Sequence, residues 1–176
     1  EEAMQAYFDK TREEASSKYL VAFKENLDND NGKKLYQQRL ARLIISILYD
    51  TGLRRSELIG LKIENVDFAR QTLKVVGKGN KMREIPLLDS LCQEILLYLE
   101  AVEALVCGKR SLKEPLLVTF RGSPLYPVYV DRTVKAELGD VKGITGRKSP
   151  HVLRHSIATE LMNNETNLNS IKEMLG

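Results

Sequence analysis

The stretch QTLKVVGKGNKMREIPL, running from Gln71 to Leu87, decides the fold. Before it, apolar residues return every three or four positions; within it they alternate. Leu73 and Val75 fall on one face and Thr72, Lys74 and Val76 on the other, and Ile85 and Leu87 alternate again beyond a glycine-rich tip. Period-two alternation on both sides of Gly77-Lys78-Gly79-Asn80 predicts a β-hairpin with its turn at those four residues. Asp67 and Phe68 lie just upstream and offer a third short strand.

On either side the period is helical. Met4, Tyr7 and Phe8, then Tyr19, Leu20 and Phe23, predict one or two amphipathic helices in residues 1–27. DNDNGKK, Asp28 to Lys34, reads as a loop. Leu40, Leu43, Ile44, Ile47 and Leu48 mark a core helix over Tyr36–Asp50, with Gly52 where a C-terminal glycine belongs. Arg54–Leu61 is a short helical turn. Asp89 or Ser90 is read as the cap of a helix reaching Val106, with Leu91, Ile95, Leu99 and Val102 inward. PLLVTF, from Pro115, is an extended segment, GSPLYP, from Gly122, a turn, and Val128–Leu138 a helix. Residues 139–148 are read as a loop, followed by helices from Pro150 and from Leu168. The sum is a mostly helical α+β domain around one small antiparallel sheet.

Length and composition agree with one domain. The chain has 176 residues, 43% hydrophobic and 29% charged, enough to bury a core. No apolar run approaches the ~20 residues of a bilayer span, and no basic region followed by an apolar one opens the sequence, so neither membrane insertion nor secretion is expected. Cys92 and Cys107 fall too far apart along one helix to bond to each other and read as thiols in a reducing cytoplasm. Without a Cys/His cluster or a carboxylate set at ligand spacing, no metal site is expected.

Charge is distributed unevenly. The net value is +3, yet residues 54–83 carry 8 Lys/Arg against 3 Asp/Glu, a net of +5, and residues 120–155 carry 7 against 3, a net of +4. Two basic blocks in a nearly neutral chain suit one face built for an anion, nucleic acid being the obvious one; scattered solvated lysines would give the same totals.

Both histidines of the chain lie in SPHVLRHSIATEL, Ser149 to Leu161. Ser149 is a good N-cap and Pro150 a good first helical residue. Val152, Leu153, Ile157 and Leu161 supply the core side. His151 and Arg154 share a face at the helix start, where free N–H groups already favour an anion. A guanidinium fork matches two phosphate oxygens and an imidazole exchanges protons near neutral pH. The pair suits phosphoryl chemistry, although surface residues or caps would look alike.

Three stretches in order, YDTGLRRSELIGLKIENVDF from Tyr49, VVGKGNKMREIPL from Val75 and SPHVLRHSIATELM from Ser149, resemble the tyrosine recombinases, the phage-integrase family, in their Xer-type branch. GSPLYPVYVDRTVK and EEAMQAYFD also resemble family segments. The resemblance implies the family's catalytic-domain fold with a small three-stranded antiparallel sheet, and site-specific DNA recombination through a 3′-phosphotyrosyl link. It implies Arg54, Lys78, His151 and Arg154 as catalytic residues and Glu57 and His155 as supporting ones. Arg55, Lys81, Arg83 and Lys148 are read as DNA contacts, although ordinary exposed charges on a strand would look the same at Lys81 and Arg83. Glu57 is read as holding Arg54 by an ion pair or as a solvated helix pair. Arg55 stands where relatives carry an aliphatic residue and is read as a backbone contact or as simply exposed. No metal and no cofactor are implied. The implied partners are double-stranded DNA and further copies of the protein, as a tetramer on DNA, in the cytoplasm at the nucleoid.

Relatives continue beyond LLG with a histidine and, about nine residues later, the nucleophilic tyrosine. No tyrosine follows Tyr129 here, and Tyr126 and Tyr129, upstream of the histidine stretch, read as packing residues. The expectation is therefore a catalytic domain that stops before its nucleophile and lacks the N-terminal core-binding domain, inactive by itself. Two other readings stay open: a DNA-binding module without chemistry, and a type IB topoisomerase.

Overall fold

The computed structural model describes residues 2–139. Helix α1 (Glu2–Lys10) leads through a 3-10 turn at Arg12–Ala15 into α2 (Ser17–Lys24), then α3 (Asp30–Thr51) and the short α4 (Arg55–Ile59). Strands β1 (Val66–Asp67), β2 (Thr72–Val76) and β3 (Met82–Pro86) follow, then α5 (Asp89–Val106) and α6 (Pro127–Leu138). The helices expected from Pro150 and Leu168 lie outside the described residues.

Helix α3 is the axis of the described domain. Ile44, Ile45, Ser46, Ile47 and Leu48 are buried in unbroken succession, which places protein on every side rather than along one stripe. Its neighbours are α2, α5 and α6. The helix also begins six residues before the expected Tyr36. DNDNGKK is not a loop: the Asn29 side chain accepts a hydrogen bond from the Gly32 N–H at 3.1 Å, so the Asn/Asp cluster that suggested a turn is a helix cap. At the other end Gly52 adopts the left-handed conformation (φ 68°) expected of it.

The sheet has the order β1-β2-β3, antiparallel throughout, with Leu73 opposite Ile85 and Val76 opposite Met82. Leu73, Val75 and Ile85 point into the core and Lys74, Val76 and Met82 outward, as the alternation requires. The third strand is Val66–Asp67, one residue earlier than expected. At the tip Gly79 and Asn80 both have positive φ, 72° and 61°, which a glycine and an asparagine accept at least cost.

Asp89 is the first residue of α5, not its cap, which is Leu88. The Asp89 carboxylate accepts instead from the Gln71 side chain at 2.8 Å, while still facing the positive end of the helix. The segment from Pro115 is extended, with single bridges from Pro115 to Lys62 and from Val118 to Pro124. Two buried tyrosines hold it: the Tyr36 hydroxyl donates to the Val118 carbonyl at 2.6 Å, and the Tyr98 hydroxyl accepts the Val118 N–H at 2.9 Å. Cys92 is buried within α5 and Cys107 is exposed at its end, both as free thiols.

Candidate active site and DNA-facing hairpin

The Gly52 turn ends α3, Leu53 inserts fully into the core, and Arg54 emerges immediately before α4 as its N-cap residue. Glu57, in the first turn of α4, reaches back so that its Oε1 accepts the Arg54 backbone N–H at 2.8 Å, the half of a capping box that a glutamate supplies.

The same carboxylate spans to the sheet. Arg83 on β3 donates from Nη1 to Glu57 Oε2 at 2.8 Å and from Nη2 to Oε1 at 3.3 Å, a two-pronged pair whose side chains are only 18% and 7% exposed. Burial pushes the Glu57 carboxyl up, but the Arg83 hydrogen bonds and the Arg54 N–H outweigh it and hold the group below the usual carboxylate range. Gly77 closes on this junction: a Cβ there would stand 3.0 Å from Arg83 Nη1 and 3.2 Å from Glu57 Oε2. From Gly77 the tip projects, its N–H bonded to the Lys81 carbonyl at 2.8 Å, with Lys78 and Lys81 exposed.

The expected Glu57–Arg54 contact therefore exists through the backbone, and the guanidinium that Glu57 binds is that of Arg83. Two arginines expected to reach DNA are engaged within the protein: Arg83 with Glu57, and Arg55 with Asp131 on α6, Nη1 to Oδ2 at 2.6 Å. Lys148, His151, Arg154 and His155 lie outside the described residues. The rings of Tyr126 and Tyr129 pack edge to face, centroids 5.6 Å apart, and burial raises the Tyr129 hydroxyl further from ionisation. Among the described residues no group of three or more His, Cys, Asp or Glu could hold a metal ion, and no helix is long and apolar enough to cross a membrane.

Asp131 was not singled out from sequence, and Gly77 was read only as part of the hairpin turn. Opposite charges 26 and 76 positions apart carry no local signal of pairing, whereas the helical and strand periods that bring them together do.

A helical core that carries an arginine at a helix start, locked against the root of a basic hairpin, is the architecture of a known class. Residues 24–176 match the phage integrase family, and the chain belongs to that family. More particularly, it is similar to tyrosine recombinases of the Xer type. It is 35% identical to the tyrosine recombinase XerC of Chlorobaculum tepidum over 94% of this chain and 52% of that protein, and 36% identical to XerD of Staphylococcus aureus over 77% and 45%. Among solved structures, the XerH site-specific recombinase bound to its difH substrate in a pre-cleavage complex superimposes with a TM-score of 0.69 at 26% identity, covering 92% of this chain and 46% of that one. The chain thus spans about half the length of the relatives it matches.

Proposed function

We propose that these residues form the catalytic part of a site-specific recombinase that cuts and rejoins double-stranded DNA without a metal. The observation that carries the reading is the junction at Glu57, which ties the start of α4, where Arg54 stands, to the hairpin that presents Lys78. The order of the three motifs, with His151 and Arg154 in the third, supports it. A module that merely bound phosphate would not need arginines in place of lysines, nor the histidine.

In this reading a tyrosine oxygen attacks the scissile phosphorus while the bond to the 5′-oxygen breaks, leaving a 3′-phosphotyrosyl link and a 5′-hydroxyl. Arg54 and Arg154 meet the charge that gathers on the non-bridging oxygens; removing one such donor typically raises the barrier by about 3 kcal/mol. Lys78, from the hairpin tip in the minor groove, gives the departing 5′-oxygen its proton. His151 binds the phosphate and assists proton transfer at the nucleophile. The link conserves the phosphodiester energy, so rejoining needs no ATP. The protein would act as a tetramer on two duplexes, in the cytoplasm at the nucleoid.

The 176 residues alone should bind duplex DNA with an affinity that falls about a thousandfold between 50 and 200 mM salt. Because no tyrosine follows Tyr129, they should form no covalent link with a nicked duplex. A longer form containing the nucleophile should form that link and exchange partners between two sites. Salt-insensitive binding would overturn the reading; relaxation of a single supercoiled plasmid without partner exchange would replace it with a topoisomerase.

A further inference from the structure

We propose that Arg83 is a positioning residue: through its paired contact with Glu57 it fixes the root of the Lys78 loop to the start of α4, so that Lys78 and Arg54 reach one phosphate together. The inference rests on the functional reading above and adds a part to it.

Three observations converge on the junction. Arg83 offers both Nη atoms to one carboxylate, at 2.8 and 3.3 Å, the geometry in which an arginine is least replaceable by lysine. That carboxylate is simultaneously bonded to the backbone N–H of Arg54, so moving Arg83 moves the acceptor that caps α4. Gly77, the residue before Lys78, lies against both partners so closely that a side chain would press on them. Among the described residues the hairpin is otherwise held by the buried face of Leu73, Val75 and Ile85, by the pairing of β2 with β1 and by the Gln71–Asp89 hydrogen bond; Val76 and Met82, nearer the tip, are 50% and 64% exposed. Among these holds the ion pair is the one nearest the loop. A surface phosphate contact would instead want its fork directed at solvent, and Arg83 is mostly covered.

The test uses amide hydrogen exchange in the 176-residue chain and the salt dependence of its duplex binding. Arg83→Met and Glu57→Gln should each speed exchange at the Gly77 amide and its flanking strand amides about tenfold, leave α3 protection unchanged, and add little when combined. Arg83→Lys should recover only part of the protection. The slope of affinity against salt should match the wild-type slope in Arg83→Met. Gly77→Ala, which changes no charge, should loosen the same amides and serves as the second probe where an ion-pair variant fails to fold. Unchanged exchange together with a salt slope reduced by about one would make Arg83 a phosphate contact and overturn the proposal, as would additive effects of the two ion-pair variants or an inert Gly77→Ala. Exchange needs no DNA: absence of wild-type binding would sink the functional reading, and the positioning role would still be decided by the exchange rates.

Discussion

Arg55 Nη1 lies 2.6 Å from Asp131 Oδ2, which couples α4, the helix that follows Arg54, to α6 at the far end of the described chain. Both side chains are partly exposed, at 39% and 30%, so the pair contributes only about 0.5–1 kcal/mol. Arg55→Leu alone should lower stability by that amount in urea unfolding. The double variant Arg55→Leu, Asp131→Leu should recover it, because an apolar pair leaves no carboxylate behind. A loss in the double variant equal to the sum of the Arg55→Leu and Asp131→Leu losses would mean that the two groups are independent.

Asp50 gives a pH dependence of defined sign. Burial raises its carboxyl from 3.8 to about 6, with Arg42 opposing. It lines a cavity with Arg42, Ser46 and Glu94, and burial raises Glu94 too. The folded state therefore keeps the Asp50 proton at pH values where the unfolded chain has lost it. The stabilisation from this group is complete below about pH 4 and is lost as pH rises to about 6. Asp50→Asn should be more stable than wild type by about 1–2 kcal/mol at pH 7.5, with the advantage vanishing near pH 4. Urea midpoints at four pH values would show it, and a constant difference across them would exclude titration of Asp50 as the cause.

The start of α3 yields a third prediction. Replacing a helical glycine by alanine ordinarily gains up to about 1 kcal/mol. At Gly32 the new methyl would fall 1.8 Å from the Asn26 carbonyl oxygen, a clash with backbone that reverses the sign. Gly32→Ala should destabilise by about 2 kcal/mol or more and Asn29→Ala by about 1 kcal/mol, both measured by thermal unfolding.

That same segment marks where sequence reasoning stops. The hairpin was legible residue by residue because burial of Leu73, Val75 and Ile85 allows one register only: a slip by one would expose all three. The middle of α3 was legible from its apolar spacing. Its first turn was not, since Asn, Asp and Gly serve caps and turns alike, and it is the hydrogen bond from the Gly32 N–H to the Asn29 side chain that makes this one a cap. Arg54 and Lys78 are assigned to the proposed site on motif resemblance. The guanidinium partner of Glu57 was misassigned because Arg54 is its neighbour in sequence, while Arg83 comes within reach of Glu57 only once β3 has paired with β2. Charge patterns identify which residues will seek partners; tertiary packing selects the partner.

The last prediction separates the two exposed lysines of the hairpin tip. If Lys81 only neutralises phosphate, Lys81→Ala should weaken duplex binding and reduce the salt slope by about one, without a specific effect on the chemical step. Lys78→Ala, in a form of the protein that carries the proposed nucleophilic tyrosine, should bind DNA nearly as well as wild type does and cleave it about a hundredfold or more slowly, the usual contribution of a positioned general acid. A substrate with sulfur in place of the bridging 5′-oxygen tests the assignment directly. A thiolate leaves without a proton, so Lys78→Ala should cleave that substrate at close to the wild-type rate, while Arg54→Ala, lacking the cation proposed for the non-bridging oxygens, should stay slow on both. If sulfur restores neither variant, the proton for the departing oxygen comes from a group other than Lys78.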